Sequence, residues 1–271
     1  MIPSALSYTK AGTLDEALAA VAAGARPLAG GQSLVPMMRL RLAAPEGLVD
    51  LGGLAELVGI CEDGDELAVG AMTTHRSVAA DPQILASCHV VAQAASGVGS
   101  LVIRNRGTIG GSLGHADPHA DLPAALLAAG GAVIVRSSRG ERRIEADDLV
   151  TSYLTTSLAS DELITQVRLP KGAARSAYAK FHRRAIDWSI VGVGVTIGSA
   201  GTRVAVTGVG DRPLRATGFE DVINAGGSLD EAVAQAGTGM SPLDDLDGSA
   251  EYKLHLVGVL ARQAYTEASG R

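Results

Sequence analysis

Two short runs carry the most visible chemistry in this sequence. Ala29-Gly30-Gly31-Gln32-Ser33 and Thr108-Ile109-Gly110-Gly111-Ser112 each place a Gly-Gly pair beside a hydroxyl-bearing residue at the end of an extended stretch. Glycine reaches φ > 0 and has no Cβ, so successive amides can turn toward an anion. Ser33 and Ser112 add hydroxyl donors. Ser33 also stands where it could cap a following helix, whose N-terminus favours phosphate. One such run is equally well an ordinary turn. Two runs of one design could clamp the two phosphates of a pyrophosphate. The chain has no G-x-G-x-x-G after a strand and no G-x-x-x-x-G-K-[ST], which disfavours a Rossmann dinucleotide fold and a P-loop nucleotidase. The pair of runs fits a different FAD-binding architecture.

Other polar residues carry weaker signals. His115, Asp117, His119 and Asp121 alternate at a spacing that suits a metal. A mononuclear site needs three or four convergent ligands, and Pro118 breaks the helix that would converge these histidines. No metal site is expected. Asp117 reads as a turn former, and Asp121 as a helix N-cap with or without a flavin role. Tyr178, Phe181 and Trp188 lie close together in a chain with only five Tyr, two Phe and one Trp. They read either as core or as a wall against a flavin ring. Lys180, Arg183 and Arg184 supply positive charge beside them, and such charge near N1 and C2=O of a flavin raises its potential. Arg39, Arg41, Arg142 and Arg143 read as solvated surface or subunit contacts. No Ser-His-Asp or Cys-His set stands out, so no catalytic side chain is expected on this chain.

The elements that must position these runs follow from periodicity and punctuation. Thr13 or Asp15 caps a helix through about residue 23. Residues 26–29 form a short strand that ends in the first glycine pair, and 33–42 a second helix. Residues 48–51 form a buried strand that closes a βαβ-like unit. Short strands at 58–60 and 67–70 flank the acidic turn Glu62-Asp63-Gly64-Asp65. Thr73 or Thr74 caps a short helix, and 84–96 is helical. Residues 103–121 read as a long glycine-rich loop, and such loops are usually functional. A helix over 122–129 and strands at 132–135, 142–144 and 163–169 follow. Gly172-Ala173-Ala174-Arg175-Ser176 marks a boundary. Beyond it lie a hairpin over 189–197 and 203–209 and helices at 230–236 and 250–268.

Composition bounds the class. The chain has 271 residues, 46% hydrophobic and 19% charged, enough for a substantial core. Twenty-nine acidic against 23 basic residues give a net charge of −6, which argues against a nucleic-acid binder. Glycine, at 34 residues, is well above the usual share of about 7%. Two cysteines, Cys61 and Cys88, are too few for an iron–sulfur cluster, a cysteine zinc site or a disulfide scaffold. They read as buried free thiols. The start MIPSALSYTKAGTLDEAL shows no basic stretch followed by an apolar one, and residues 83–103 contain Ser, Gln, His and Gly. No leader and no transmembrane segment is expected, and a cytoplasmic location is.

The runs AGGQSLVPMMRLRLAAP (29–45) and RNRGTIGGSLGHADPHADLPAALLA (104–128) resemble the two signature segments of the FAD-binding medium subunit of molybdenum hydroxylases, the carbon monoxide dehydrogenase and xanthine dehydrogenase family. MIPSALSY, VGAMTTH, DELITQVRLP, YAKFHRRAIDWSIVGV and DLDGSAEYKLHLVGVLARQA extend the resemblance over nearly the whole chain. It implies an α+β fold. A vanillyl-alcohol-oxidase (PCMH)-type FAD domain over 1–173, of two α+β subdomains (about 1–56 and 57–173), precedes a smaller C-terminal α+β domain over 174–271. It implies cofactor contacts at Ala29, Gly30, Gly31, Gln32 and Ser33, at Thr108, Ile109, Gly110, Gly111 and Ser112, and at Asp121, Leu163, Lys180, Asp187 and Trp188, with Trp188 against the isoalloxazine. Gln32 replaces a frequent His and Ser112 a frequent Asn, and both swaps keep hydrogen-bonding capacity. Leu149-Val150 replaces an aromatic pair, which removes any assigned aromatic packing there.

The function implied is electron transfer. A large partner chain carries molybdopterin, a small one carries 2Fe-2S clusters, and FAD here receives the electrons and passes them to an external acceptor. The expected assembly is a dimer of heterotrimers. The alternatives are a solitary FAD oxidoreductase acting directly on a small molecule and a flavin-binding scaffold without turnover. Metals in co-purifying partners, bleaching of the isolated chain by substrate, or an inert bound flavin separate the three.

Overall fold

The computed structural model describes residues 3–173 and 175–270. The first unit runs β1 (Ser7–Lys10), α1 (Leu14–Ala22), β2 (Arg26–Leu28), α2 (Leu34–Arg39) and β3 (Gly47–Asp50). Its three strands are ordered β1-β3-β2 and both pairings are parallel, as a helical crossover requires. Thr13 caps α1 by accepting the Glu16 N–H. Leu14, Ala17, Leu18 and Val21 on one face of α1 join Val49, Leu51, Leu54 and Leu57 in a small core.

The second unit is a five-stranded antiparallel sheet of order β4-β5-β10-β6-β7. Its strands are β4 (Ile60–Asp63), β5 (Glu66–Gly70), β6 (Ala132–Ser137), β7 (Gly140–Glu145) and β10 (Leu163–Pro170). Between β5 and β6 run α3 (His75–Ala80), α4 (Pro82–Ser87), α5 (His89–Ser96), α6 (Leu101–Arg104), α7 (Ile109–His115) and α8 (Asp121–Ala129). The short α9 (Ala146–Leu149) and the pair β8 (Val150–Ser152) and β9 (Thr155–Thr156) link β7 to β10. All nine residues of α8 are buried. It packs against α5, β10 and the sheet of the third unit, which explains why it has no polar face.

The third unit carries β11 (Ser176–Phe181), β12 (Val191–Gly198), β13 (Gly201–Thr207) and β14 (Leu214–Arg215) in chain order, all antiparallel. Three helices follow: α10 (Thr217–Asn224), α11 (Leu229–Gln235) and α12 (Ala250–Ser269), the last packed on β11 and β12. The fold is α+β. Among the described residues, no helix is long and apolar enough to cross a membrane.

Several expectations need correction. The loop expected over 103–121 is mostly helical: α7 fills its centre, and only Ala116, at φ 52, turns the chain toward α8. The helix expected over 84–96 breaks at Cys88, whose backbone (φ −149, ψ 61) leaves the helical region. The strand expected at 58–60 lies instead at Ile60–Asp63, and Gly64-Asp65 alone turns the hairpin. Strands β1 and β11 and helix α10 were not anticipated. Cys88 is buried, which pushes its thiol up to about 12, but Cys61 is exposed, because it lies on the outer strand of the sheet. The boundary expected between 173 and 174 falls on residue 174, outside the described residues, as do residues 1, 2 and 271 at the ends of the expected domains.

Candidate cofactor site

The first glycine run is delivered by β2. The Leu51 N–H donates to Leu28 O at 3.0 Å, and the chain then leaves the sheet. Gly31 sits at φ 73, in the left-handed region that favours glycine. Among the described residues, no backbone N–H from Ala29 through Ser33 donates to a protein acceptor. Gln32 folds back instead, its Nε2 donating to Gly30 O at 3.1 Å. Successive unpaired amides around a left-handed residue form an anion-binding concavity. Ser33 occupies the N-cap position of α2, but its side chain makes no capping bond, so the expected cap is corrected. With φ −108 and ψ −52, Ser33 is already near-helical and lacks the extended geometry of a capping residue.

The second run is built differently. Thr108 caps α7, accepting the Gly111 N–H at 3.1 Å with its hydroxyl and the Ser112 N–H at 3.0 Å with its carbonyl. Ile109 N–H donates to Thr73 O at 3.0 Å, and Gly110 N–H to Ala71 O at 2.9 Å. These four amides are therefore held within the protein. Glycine is required here by close approach: a Cβ on Gly110 would lie 2.5 Å from Ala71 Cβ and 2.8 Å from Ala71 O. The expectation that both runs present amides alike is corrected to one presenting run and one packed run.

The two runs meet. A Cβ on Gly30 would fall 2.1 Å from Arg106 O, and one on Gly111 3.3 Å from Ala29 Cβ. Behind them His75 is buried, its N–H donating to Gly107 O at 2.9 Å and its Nδ1 without a partner. Burial, helped by Arg104, lowers its pKa to about 4. Leu163 lies in the small core against which Ala29 packs.

A third cluster surrounds Asp121, which is 5% exposed. Its Oδ1 accepts from Tyr178 Oη at 2.9 Å and from Ser189 Oγ at 2.5 Å, and its Oδ2 accepts from Lys180 Nζ at 2.9 Å. Burial first, then the Asp121 charge, raises the Tyr178 phenol well above its ordinary value. Lys180 Nζ also donates to Gly97 O at 3.0 Å and to Asp187 O at 3.4 Å. Trp188, between these tethered neighbours, is 56% exposed. Asp121 is not an N-cap. Ala120 holds that position without a side-chain bond, because the carboxylate faces β11.

The expected aromatic wall is not one surface. Tyr178 is buried on the face of β11 that it shares with Lys180, whereas Phe181 meets Tyr252 of α12 edge-on at 6.2 Å. Alternation along the strand separates them. Arg183 donates to Leu246 O and lies 3.9 Å from Asp247, and Arg184 pairs with Asp187 at 3.0 Å, so neither joins Lys180. Arg142 and Arg143 pair with Glu162, Glu66 and Glu145 on the sheet surface. Asp117 turns the chain, accepting the His119 N–H at 2.8 Å. His119 Nδ1 lies 2.9 Å from Ser189 O, whereas His115 Nε2 lies 3.8 Å from Asp117.

Comparison with known proteins decides the family. Residues 4–172 match the FAD-binding domain of molybdopterin dehydrogenases, and residues 176–268 the C-terminal domain of carbon monoxide dehydrogenase flavoproteins. The chain belongs to this molybdenum hydroxylase flavoprotein family. The nicotine 6-hydroxylase medium subunit of Paenarthrobacter nicotinovorans is 38% identical, over 98% of each chain. The carbon monoxide dehydrogenase medium chain of Hydrogenophaga pseudoflava is 33% identical, over 100% of this chain and 99% of its own. The solved structure of that carbon monoxide dehydrogenase superimposes with a TM-score of 0.95, covering 100% of this chain and 99% of that one at 33% identity. The fold is thus that of an FAD-carrying oxidoreductase subunit of this family. The unpaired amides of Ala29–Ser33, the close-packed glycines and the exposed indole fit such a cofactor. Sequence reasoning missed His75, Gly97 and Ser189, and it singled out His119 and Tyr178 for other roles than the ones they take around Asp121 and Ser189. The place of Tyr178 beside Lys180 was within reach, because it stands two residues before Lys180 and shares its face once β11 is read as a strand.

Proposed function

We propose that this chain is the electron-transfer flavoprotein subunit of a molybdenum hydroxylase. It takes electrons from 2Fe-2S clusters on a small partner chain and passes them to an external acceptor. Substrate is oxidised at a molybdopterin centre on a large partner chain, and two heterotrimers associate. The observation that carries this reading is the run of unpaired amides from Ala29 to Ser33, pressed against the second glycine run. These amides hold the pyrophosphate of FAD, and Ser112, half-buried at the end of the second run, adds a hydroxyl. Leu163 supports Ala29 from the core. Lys180, Asp187 and Trp188 flank the ring system. Bound FAD supplies a carrier that accepts electrons singly or in pairs.

Two further observations support the division of labour. Two cysteines leave the chain unable to hold the clusters itself. Medium subunits of enzymes named for nicotine and for carbon monoxide resemble it over nearly full length, which favours substrate choice on another chain. The test is purification of the native complex through a tag on this chain. We expect FAD bound here, with iron and molybdenum on two co-purifying chains. The chain expressed alone should be yellow and lack the hydroxylation. Substrate-dependent bleaching of the isolated chain, at the rate of the complex, would overturn the subunit reading.

A further inference from the structure

We infer that Asp121 is the anchor of the Trp188 segment, fixing where the indole is presented by holding the residues on both sides of it. This rests on the proposed flavin site only for its consequence, not for its geometry. The segment from His182 to Trp188 is largely exposed, and Trp188 is itself more than half exposed, so packing does not hold the ring in place. Its flanking residues are tied instead. On one side Lys180, ion-paired with Asp121 at 2.9 Å, donates to Asp187 O at 3.4 Å. On the other, Ser189 Oγ donates to Asp121 at 2.5 Å, and Ser189 O lies 2.9 Å from His119 Nδ1. Tyr178 holds the same carboxylate from behind at 2.9 Å.

Asp121, Tyr178 and Ser189 are all buried, so losing the carboxylate takes the shared acceptor from Tyr178, Ser189 and Lys180 at once, away from water. Asp121 starts α8, and the turn before it is pinned to β13 through Thr207 Oγ1, which donates to Pro118 O at 2.6 Å. The indole is therefore referenced to the most buried helix of the molecule. Asp121, Ser189, Tyr178 and His119 are positioning residues that act through the Trp188 backbone.

Trp188 is the single tryptophan, so the emission of the full chain reads this position alone. In flavin-free protein, time-resolved anisotropy should show the ring tumbling with the whole molecule. Ser189→Ala and Asp121→Asn should add a fast local motion, whereas Ile186→Ala, in the exposed part of the segment, should not. In the FAD-loaded chain the wild-type indole should be strongly quenched. Ser189→Ala should lose most of that quenching while flavin remains bound. Should Asp121→Asn fail to fold, Ser189→Ala and Tyr178→Phe still decide. Unchanged anisotropy in flavin-free Ser189→Ala overturns the anchor. A wild-type chain that binds no FAD, with anisotropy altered in the variant, overturns the flavin reading and leaves the anchor standing.

Discussion

The two glycine runs look alike in sequence and act differently in the fold. Ala29–Ser33 leaves a strand, turns through a left-handed glycine and keeps its amides unpaired. Thr108–Ser112 opens a helix, and its amides are held by Thr108, Thr73 and Ala71. In the first run Gly31 supplies conformation while Gly30 supplies thinness, and in the second run both glycines supply thinness. Gly-Gly beside a hydroxyl therefore fixes only that backbone comes close to something. What it comes close to depends on which partner strand or turn supplies the acceptors.

The widest separation between the two runs should come from paired substitutions. Gly110→Val would drive a branched side chain into the Ala71 backbone, where even a Cβ would lie 2.8 Å from the carbonyl oxygen. We expect a loss of about 3 kcal/mol of stability, at the upper end for overpacking, read as a large fall in the denaturant midpoint. Gly31→Ala meets only side chains, Val35 at 3.2 Å and Leu28 at 3.5 Å, and its main penalty is the left-handed backbone. That costs about 1–2 kcal/mol, so the chain should fold yet lose flavin on gel filtration. A stable Gly110→Val, or a Gly31→Ala that stays fully yellow, would break the comparison.

Acid should act on the packed run first. His75 lies against Gly107 with its pKa lowered to about 4 by burial, from an ordinary value of 6.5. The unfolded chain therefore binds a proton that the folded chain does not throughout that window. The stability contributed by neutral His75 is complete above 6.5 and is lost as pH falls toward about 4. The total is about 3 kcal/mol. Denaturant unfolding at pH 7 and pH 5 should show the loss in the wild type. His75→Leu should flatten this part of the profile. An equal slope in both proteins would remove His75 from the account.

Much of this was legible in the residues. Capping residues announce helices α1 and α3, and of the paired candidates it is Thr13 rather than Asp15, and Thr74 rather than Thr73, that caps. The parallel first unit follows from strands separated by helical stretches. The two runs and Lys180 stand out by type. What stayed hidden depends on acceptors supplied from far along the chain. Ala71 and Thr73 take the amides of Ile109 and Gly110, and nothing local to those residues announces it. The helix α7 was obscured by three glycines in seven residues, which lower helix propensity by about 1 kcal/mol each against alanine. Burial against Ala71 and the Thr108 cap override that preference. The Asp121 cluster joins residues on α8, β11 and the Trp188 segment that only the packing of two sheets around one helix brings together.

The smallest expected effect gives the sharpest contrast, because it compares two hydroxyls in matched positions. Thr108 Oγ1 accepts the Gly111 N–H at 3.1 Å in a buried setting, with the extended backbone (φ −119, ψ 153) of a working cap. Thr108→Ala leaves that amide unpaired and should cost about 1 kcal/mol, within the range for lost caps. Ser33 makes no capping bond. Ser33→Ala should leave stability within about 0.5 kcal/mol of the wild type, while weakening flavin retention if its hydroxyl serves the cofactor. Denaturant midpoints and flavin titration on the two variants separate the roles: one hydroxyl closes a helix, and the other waits for a ligand. Equal stability losses would mean that Ser33 caps in solution and that the two runs are more alike than their geometry indicates.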